Sequence, residues 1–441
     1  MKTLSLVGLP VLLSVAVGCG AATEAPAGTS DAATTSPQDA TVDAIADLSP
    51  VPDTALPMDL GPPDVLDVPV ADANTPDLGP DVAPDTIAPL PSVVAGVTFI
   101  EVPTDNPKRT LPVAIWYPGK PVAAQEPYVY LGLLAGQAYA EVPLKDGGPY
   151  PVIVFSHGHQ GLKEQSYFLT EWLAMHGFIV VAPDHVWNTF LTFDKAKTAD
   201  VALLRPKDIS RVIDRLEKPE PTDPAWLKTK LDLQHIGACG HSFGGYTTVA
   251  LSGATVSADE AMIALCDKSP KEFACQLVNA NQKGPYEFGD PRIDAAVPMA
   301  PAGFEAFRNT GLAKVAIPML VLAGKEDTLT PLDTQVKPIF DGVTTDKMLW
   351  TLKHGSHFTF SDACVLAAFA PPDVIAQFGN ICDEKAPLSI TDAHSLVRDV
   401  VLSFFKHTLL GDVTAKAELT KAAQEAKSAE IEVTVMPKVT P

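Results

Sequence analysis

Between Gly20 and Ile100 the 441-residue chain has no lysine and no arginine, and nowhere does it gather basic residues into a run. That absence argues against a nucleic-acid partner, because binding phosphate requires clustered Lys and Arg. The same segment holds 12 Asp and one Glu, so it carries −13 of the formal −21, while Glu101 to Pro441 carries −9. The acidity is therefore local. Aromatic residues are scarce there too, whereas Gly20 to Ser92 contains 13 of the 41 prolines. A stretch so charged and so poor in apolar side chains cannot bury enough surface to fold, and proline removes backbone donors as well. Residues 19–92 therefore read as an extended acidic tether, with a repeated phrase at Asp59-Leu60-Gly61-Pro62 and Asp77-Leu78-Gly79-Pro80.

The apolar run Leu4 to Val17, 14 residues long and broken by Pro10, is too short to span a bilayer. With Lys2 before it and Ala16-Val17-Gly18-Cys19 after it, it reads as an export signal over residues 1–18. The Cys after Gly18 makes this segment similar to a bacterial lipoprotein signal, which implies lipidation of Cys19 and anchoring of the protein in the cell envelope. Plain secretion is the alternative.

From about Val93 the pattern changes to short Val- and Ile-rich runs alternating with helical spacing, which predicts an α/β fold with a mostly parallel sheet covered on both faces. Val97–Val102 and Leu111–Tyr117 predict an antiparallel hairpin. Further strands are expected at Val152–Ser156, Phe178–Pro183, His235–Cys239, Ala295–Met299, Met319–Ala323 and Met348–Leu352. A last helix, capped by Thr391 and ending at Gly411, carries one apolar stripe from Ala393 to Phe405. Residues 120–148, 185–203 and 255–290 read as loops or insertions. The tail 413–441 reads as polar with one helix near Ala415–Ala429. The catalytic domain is placed at 93–412.

Gly240-His241-Ser242-Phe243-Gly244-Gly245 follows a predicted strand and precedes a helix-compatible run, which is the context of a nucleophile elbow. A serine hydroxyl is a weak nucleophile and needs a base, and the base needs an orienting acid. Asp327 lies 85 residues on, just past one strand, and His357 lies 30 further, just past the next. Both fall where an open parallel sheet places its site. Glu326 and Asp333 are the other acids in reach, and His354 is the other base. Oxyanion donors are expected from the backbone N–H groups of Phe243 and of His159, in the loop Phe155 to Gly161. His157-x-His159 is the start of a metal-hydrolase motif, but Gln160-Gly161 follows instead of Asp-His, so no metal and no cofactor are expected. His176, His235, His241 and His407 read as structural, and so does His185.

Phe155-Ser156-His157-Gly158, His176 to Val181, the elbow, Arg109 to Pro118 and His357 to Asp362 together resemble the platelet-activating-factor acetylhydrolase branch of the α/β-hydrolases. The bacterial predicted dienelactone hydrolase group is similar, though a true dienelactone hydrolase uses Cys where this chain has Ser242. The resemblance covers about 97–411. It implies a Ser242–Asp327–His357 triad, His159 and Phe243 at the oxyanion positions, and cofactor-free hydrolysis of short-acyl esters or lipids. A polymer or polyester hydrolase and a non-catalytic binding lipoprotein are the alternatives. Export permits disulfides. With Cys19 reserved for lipid and Cys239 in a strand, local pairing predicts Cys266–Cys275 and Cys364–Cys382. Tyr128 to Ala135 reads as a packing segment rather than a lipid-touching cap.

Overall fold

The computed structural model describes residues 91–257, 260–268, 275, 284–367, 382 and 386–437. The expected export signal, Cys19 and the expected acidic tether up to residue 90 lie outside them.

Ten strands form one sheet: β1 Val94–Asp105, β2 Lys108–Gly119, β3 Tyr139–Ala140, β4 Tyr150–Ser156, β5 Ile179–Pro183, β6 Leu231–His241, β7 Ile293–Met299, β8 Met319–Gly324, β9 Lys347–Leu352 and β10 Ile431–Met436. Their spatial order is β10-β9-β8-β7-β6-β4-β5-β2-β1-β3. The six central strands, β5 to β9 through β4, are parallel. The β1–β2 hairpin and β10 flank them antiparallel. Every strand expected from the sequence is present, several of them longer at both ends. The chain runs outward from β4 to β5, then returns to β6 on the other side of β4. That reversal makes a topological switch point between β4 and β6, the place where an open parallel sheet puts its site, at the strand C-termini.

Alternation in β4 explains the layering. Ile153 and Phe155 face a core shared with α1 (Tyr167–Met175), while Val152 and Val154 face one shared with α2 (Thr198–Glu217). The helix after the elbow is α3, Phe243–Leu251. The long last helix is α4, Ile390–Leu410, which packs on the α1 side through Val397, Val400, Val401 and Phe405. It ends where expected, at Gly411 in the left-handed region (φ 66°). Its cap is Ser389 rather than Thr391: the Ser389 hydroxyl accepts from the Asp392 amide, and Thr391 already lies inside the first turn. Phe405 is fully buried against Gly237 of β6, where a Cβ would strike the ring. Phe405→Ala is expected to cost about 3–5 kcal/mol, read as a fall in the urea midpoint; an unchanged midpoint would contradict this packing.

Four more readings change with the structure. The segment 255–290 is not all loop, since Thr255–Val256 pairs antiparallel with Tyr286–Glu287 and Glu260–Lys268 is a helix. The segment 185–203 is not all loop, because α2 begins at Thr198; Pro206 inside the helix breaks the ladder and obscures its signal in the sequence. The tail is not one helix: Val413–Glu418 and Lys421–Glu425 are short helices, restarted by the Thr420 cap, and β10 then pairs with β9 from Lys347↔Met436 to Leu352↔Ile431. In the 120–148 insertion, Val129–Tyr130 and Leu134–Ala135 form a small hairpin. Tyr130 and Leu134 are buried, as a packing segment requires, while Leu131 and Leu133 project at the tip.

Candidate active site

At the end of β6 the chain turns sharply into α3. Ser242 sits at φ 58°, ψ −116°, a strained conformation costing about 1–3 kcal/mol. Neighbouring contacts enforce it: the Ser242 amide donates to the Met299 carbonyl (2.9 Å), and Ala302 N donates to the Ser242 carbonyl (3.4 Å). Gly244 passes so close to the Ser156 carbonyl that no side chain fits there. The α3 N-terminus starting at Phe243 favours negative charge beside the hydroxyl.

The acid and the base meet. His357, in a single 3₁₀ turn after β9, is buried, and its Nδ1 lies 2.8 Å from Asp327 Oδ2. Asp327 Oδ1 accepts from the amides of Leu329 and Thr330, both at 2.8 Å, and the Thr330 hydroxyl is 2.8 Å from Oδ2. Burial pushes the Asp327 carboxyl up, but the charge and hydrogen bond of His357 and the Thr330 donors outweigh it, so it stays below its ordinary value. It is thus an anion that can hold the imidazole proton on Nδ1, which leaves the Nε2 lone pair available as the expected base. Backbone packing fixes the two loops together: Glu326 N donates to Gly355 O (2.9 Å) and Lys325 N to Leu352 O (3.0 Å). The substitutes fall away. Glu326 and Asp333 are exposed, and His354 pairs with Glu430 at 2.6 Å, away from Asp327. Among the described residues no hydrogen bond joins the Ser242 hydroxyl to His357; such contacts are commonly long in a free enzyme and tighten around substrate.

The loop after β4 crosses over the elbow. A Cβ on Gly158 would stand 3.4 Å from that of Ser242. His159 is the next residue, its ring edge-on to Phe193 (5.2 Å) and tilted against Phe243 (6.2 Å). Neither histidine of the H-x-H pair keeps a spare ring nitrogen. His157 is bonded to Gly158 O (2.7 Å) and accepts from His185 N (3.0 Å), while His159 Nδ1 accepts from Asn188 Nδ2 (2.8 Å) and its Nε2 faces the Gln160 side-chain amide (3.2 Å).

Beneath this loop lies a buried polar network that sequence reading missed. Arg205 of α2, fully buried, donates to the His157 carbonyl, to Ser156 Oγ (3.0 Å), to Asn188 Oδ1 (2.7 Å) and to Thr247 Oγ1 (3.1 Å), with its guanidinium 4.7 Å from the Phe243 ring. Burial lowers the guanidinium to about 9. His185 bridges Ser156 (3.0 Å) to Asp208 (3.0 Å), and Arg109 grips Asp208 with two nitrogens (3.1 and 2.5 Å). Burial lifts Asp208 to about 6 despite that grip. The structural role expected for His185 is what its contacts describe. The available signal was two arginines in apolar surroundings, which burial alone would forbid. Arg205→Leu is expected to destabilise the fold, each polar group it leaves unpaired costing about 1–3 kcal/mol; a melting temperature equal to that of the parent would contradict this.

Cys266–Cys275 and Cys364–Cys382 are bridged as local pairing predicts, the second just past the His357 turn, and Cys239 is a buried thiol whose ionisation burial pushes up. His176 is bonded to Trp172 O (2.7 Å) and His235 to Asp232 (2.7 Å), both outside the site.

A family model described as chlorophyllase matches residues 140–271. The chain is 22% identical over 216 residues to cutinase est1 of Thermobifida alba, covering 48% of this chain and 55% of that one. It is 22% identical over 230 residues to bis(hydroxyethyl) terephthalate hydrolase of Streptomyces coelicolor, covering 52% and 56%. The matches thus span little more than half of these curated relatives. A ferulic acid esterase from Streptomyces cinnamoneus superposes with a TM-score of 0.51 at 21% identity, covering 80% of this chain and 98% of that chain.

Proposed function

We propose that this chain, a member of the α/β-hydrolase superfamily, is a serine carboxylic-ester hydrolase working through an acyl-enzyme on Ser242. The observation that carries the reading is the Asp327–His357 pair held beside a strained serine elbow at the sheet's switch point. His357 Nε2 takes the Ser242 proton as the oxygen attacks the ester carbonyl. The tetrahedral oxyanion is stabilised by the His159 and Phe243 amides, and the alcohol leaves with the proton from His357. Water, deprotonated by the same imidazole, then releases the acid. The named activities of the relatives, cutinase and terephthalate-ester hydrolase, support ester chemistry for this chain as well.

Two substrate classes fit that mechanism. One is short-acyl esters, including the acetyl groups of platelet-activating-factor-like lipids. The other is bulky or polymeric esters, favoured by the exposed apolar side chains of Phe190, Leu191 and Phe193, the last of them edge-on to His159. Hydrolysis of p-nitrophenyl esters from acetate to decanoate, beside release of acid from an aromatic polyester film, separates them. A peak at acetate with no film hydrolysis selects the first; film hydrolysis selects the second. No turnover of any ester leaves the non-catalytic binding lipoprotein as the reading. We also place lipid on Cys19, tested by incorporation of labelled fatty acid that Cys19→Ser abolishes.

A further inference from the structure

We propose that Gln165 and His241 are positioning residues: they form a relay of three hydrogen bonds from the Gly158 amide to the His357 carbonyl. The relay sets the spacing of the two loops that flank Ser242. This inference rests on the ester-hydrolase reading and deepens it, by assigning roles to a glutamine that no motif singled out and to the variable residue of the elbow.

The relay has only one consistent direction. The Gly158 N–H donates to Gln165 Oε1 at 2.8 Å, since a backbone amide can only donate. The other end of that side chain, Nε2, lies 2.7 Å from His241 Nδ1 and has only protons to offer. His241 Nε2 lies 2.8 Å from the His357 carbonyl, which can only accept. His241 must therefore be neutral with its proton on Nε2, accepting at Nδ1 from Gln165. Burial, and then the neighbouring His357, hold it low at about 3, in keeping with that single form. The two ends thus fix both the amide orientation and the tautomer.

Position gives the relay its function. Gly158 lies against Ser242 and immediately precedes His159, the expected oxyanion donor. His357 is the expected base, with its ring 4.7 Å from that of His241, centroid to centroid. Gln165 also accepts through its own carbonyl from Asp362 N (2.9 Å), and Ser166 donates to Phe360 O (3.0 Å). The segment 165–166 therefore grips the end of the 357–362 turn, at Phe360 and Asp362, while the Gln165 side chain reaches the opposite loop. Misplacing a catalytic group by about 1 Å can cost a hundredfold in rate.

The test uses Gln165→Leu, His241→Phe and their combination, with kcat, KM and melting temperature measured on a soluble ester. Each single change is expected to lower kcat by about 10–100-fold with KM moving far less, and the double variant is expected to fall no further than the worse single one. His241→Gln, whose amide can still donate to the His357 carbonyl, is expected to keep more kcat than His241→Asn, which is too short to reach it. Multiplicative losses, a change confined to KM, or a loss equal to the unfolded fraction would overturn the proposal. Imidazole nitrogen NMR adds a readout independent of turnover: His241 is expected as the Nε2–H tautomer at neutral pH. An Nδ1–H form or an imidazolium overturns the relay. The expected tautomer in a protein that hydrolyses no ester leaves the relay standing and overturns the function reading alone.

Discussion

Ser242→Ala is expected to lower kcat for ester hydrolysis by a factor on the order of 10⁴–10⁶ while leaving the melting temperature where it is. The two halves of this expectation have separate causes. The hydroxyl is the only group that bonds to the acyl carbon, so without it only binding and oxyanion stabilisation remain. The strain at residue 242, by contrast, belongs to the backbone: alanine keeps the Cβ, the φ of 58° and the amide bond to Met299, so folding loses little. Binding of a non-hydrolysable ester analogue should survive. Steady-state kinetics with calorimetry checks both halves. Equal turnover in parent and variant would remove Ser242 from the chemistry.

Asp327→Asn is expected to cost about 10⁴-fold in kcat. In the proposed mechanism the carboxylate's work is to hold one imidazole tautomer. Asp327 Oδ2 accepts a hydrogen bond from His357 Nδ1–H, and the Leu329 and Thr330 amides pin Oδ1. Those two amides can only donate, so an asparagine must keep its oxygen toward them and turn its NH₂ to His357. Nδ1 then has to accept, the proton moves to Nε2, and the base is lost. The exposed acids provide the control. Glu326→Gln and Asp333→Asn are expected to stay near parent activity, and a large loss in either would reassign the acid.

Legibility in the sequence followed the range of the physics. Strands β4 to β9 were readable because burial on both faces demands short continuous apolar runs, and the site was readable because each candidate residue lies at a strand's C-terminal end. Local disulfide pairing was readable for the same reason. Longer-range effects were not. The Ser389 cap lost to Thr391 because one turn of helix offers several hydroxyls, and tertiary packing chooses among them. Strand β10 was hidden behind two polar half-helices, although Ile431 and Val433 alternate as an edge strand requires. Arg205 stands out locally only as an arginine after the apolar Val201-Ala202-Leu203-Leu204, and Asn188 and Gln165 have no local pattern. They matter because folding brings α2, the 185–194 loop and the start of α1 beneath the elbow, and that convergence is written in no single stretch of chain. His241 shows the limit most clearly, since its place in the elbow motif was visible while its two partners, 76 and 116 residues away, were not.

The mechanism stands or falls on acylation of Ser242. Treating the purified protein with a p-nitrophenyl phosphonate ester, then locating the adduct by peptide mass spectrometry, tests it most directly. The account predicts one adduct per chain, on Ser242, with loss of ester turnover in step with labelling and no adduct in Ser242→Ala. Full turnover in a protein that takes up no phosphonate, or an adduct on any other residue, would contradict it.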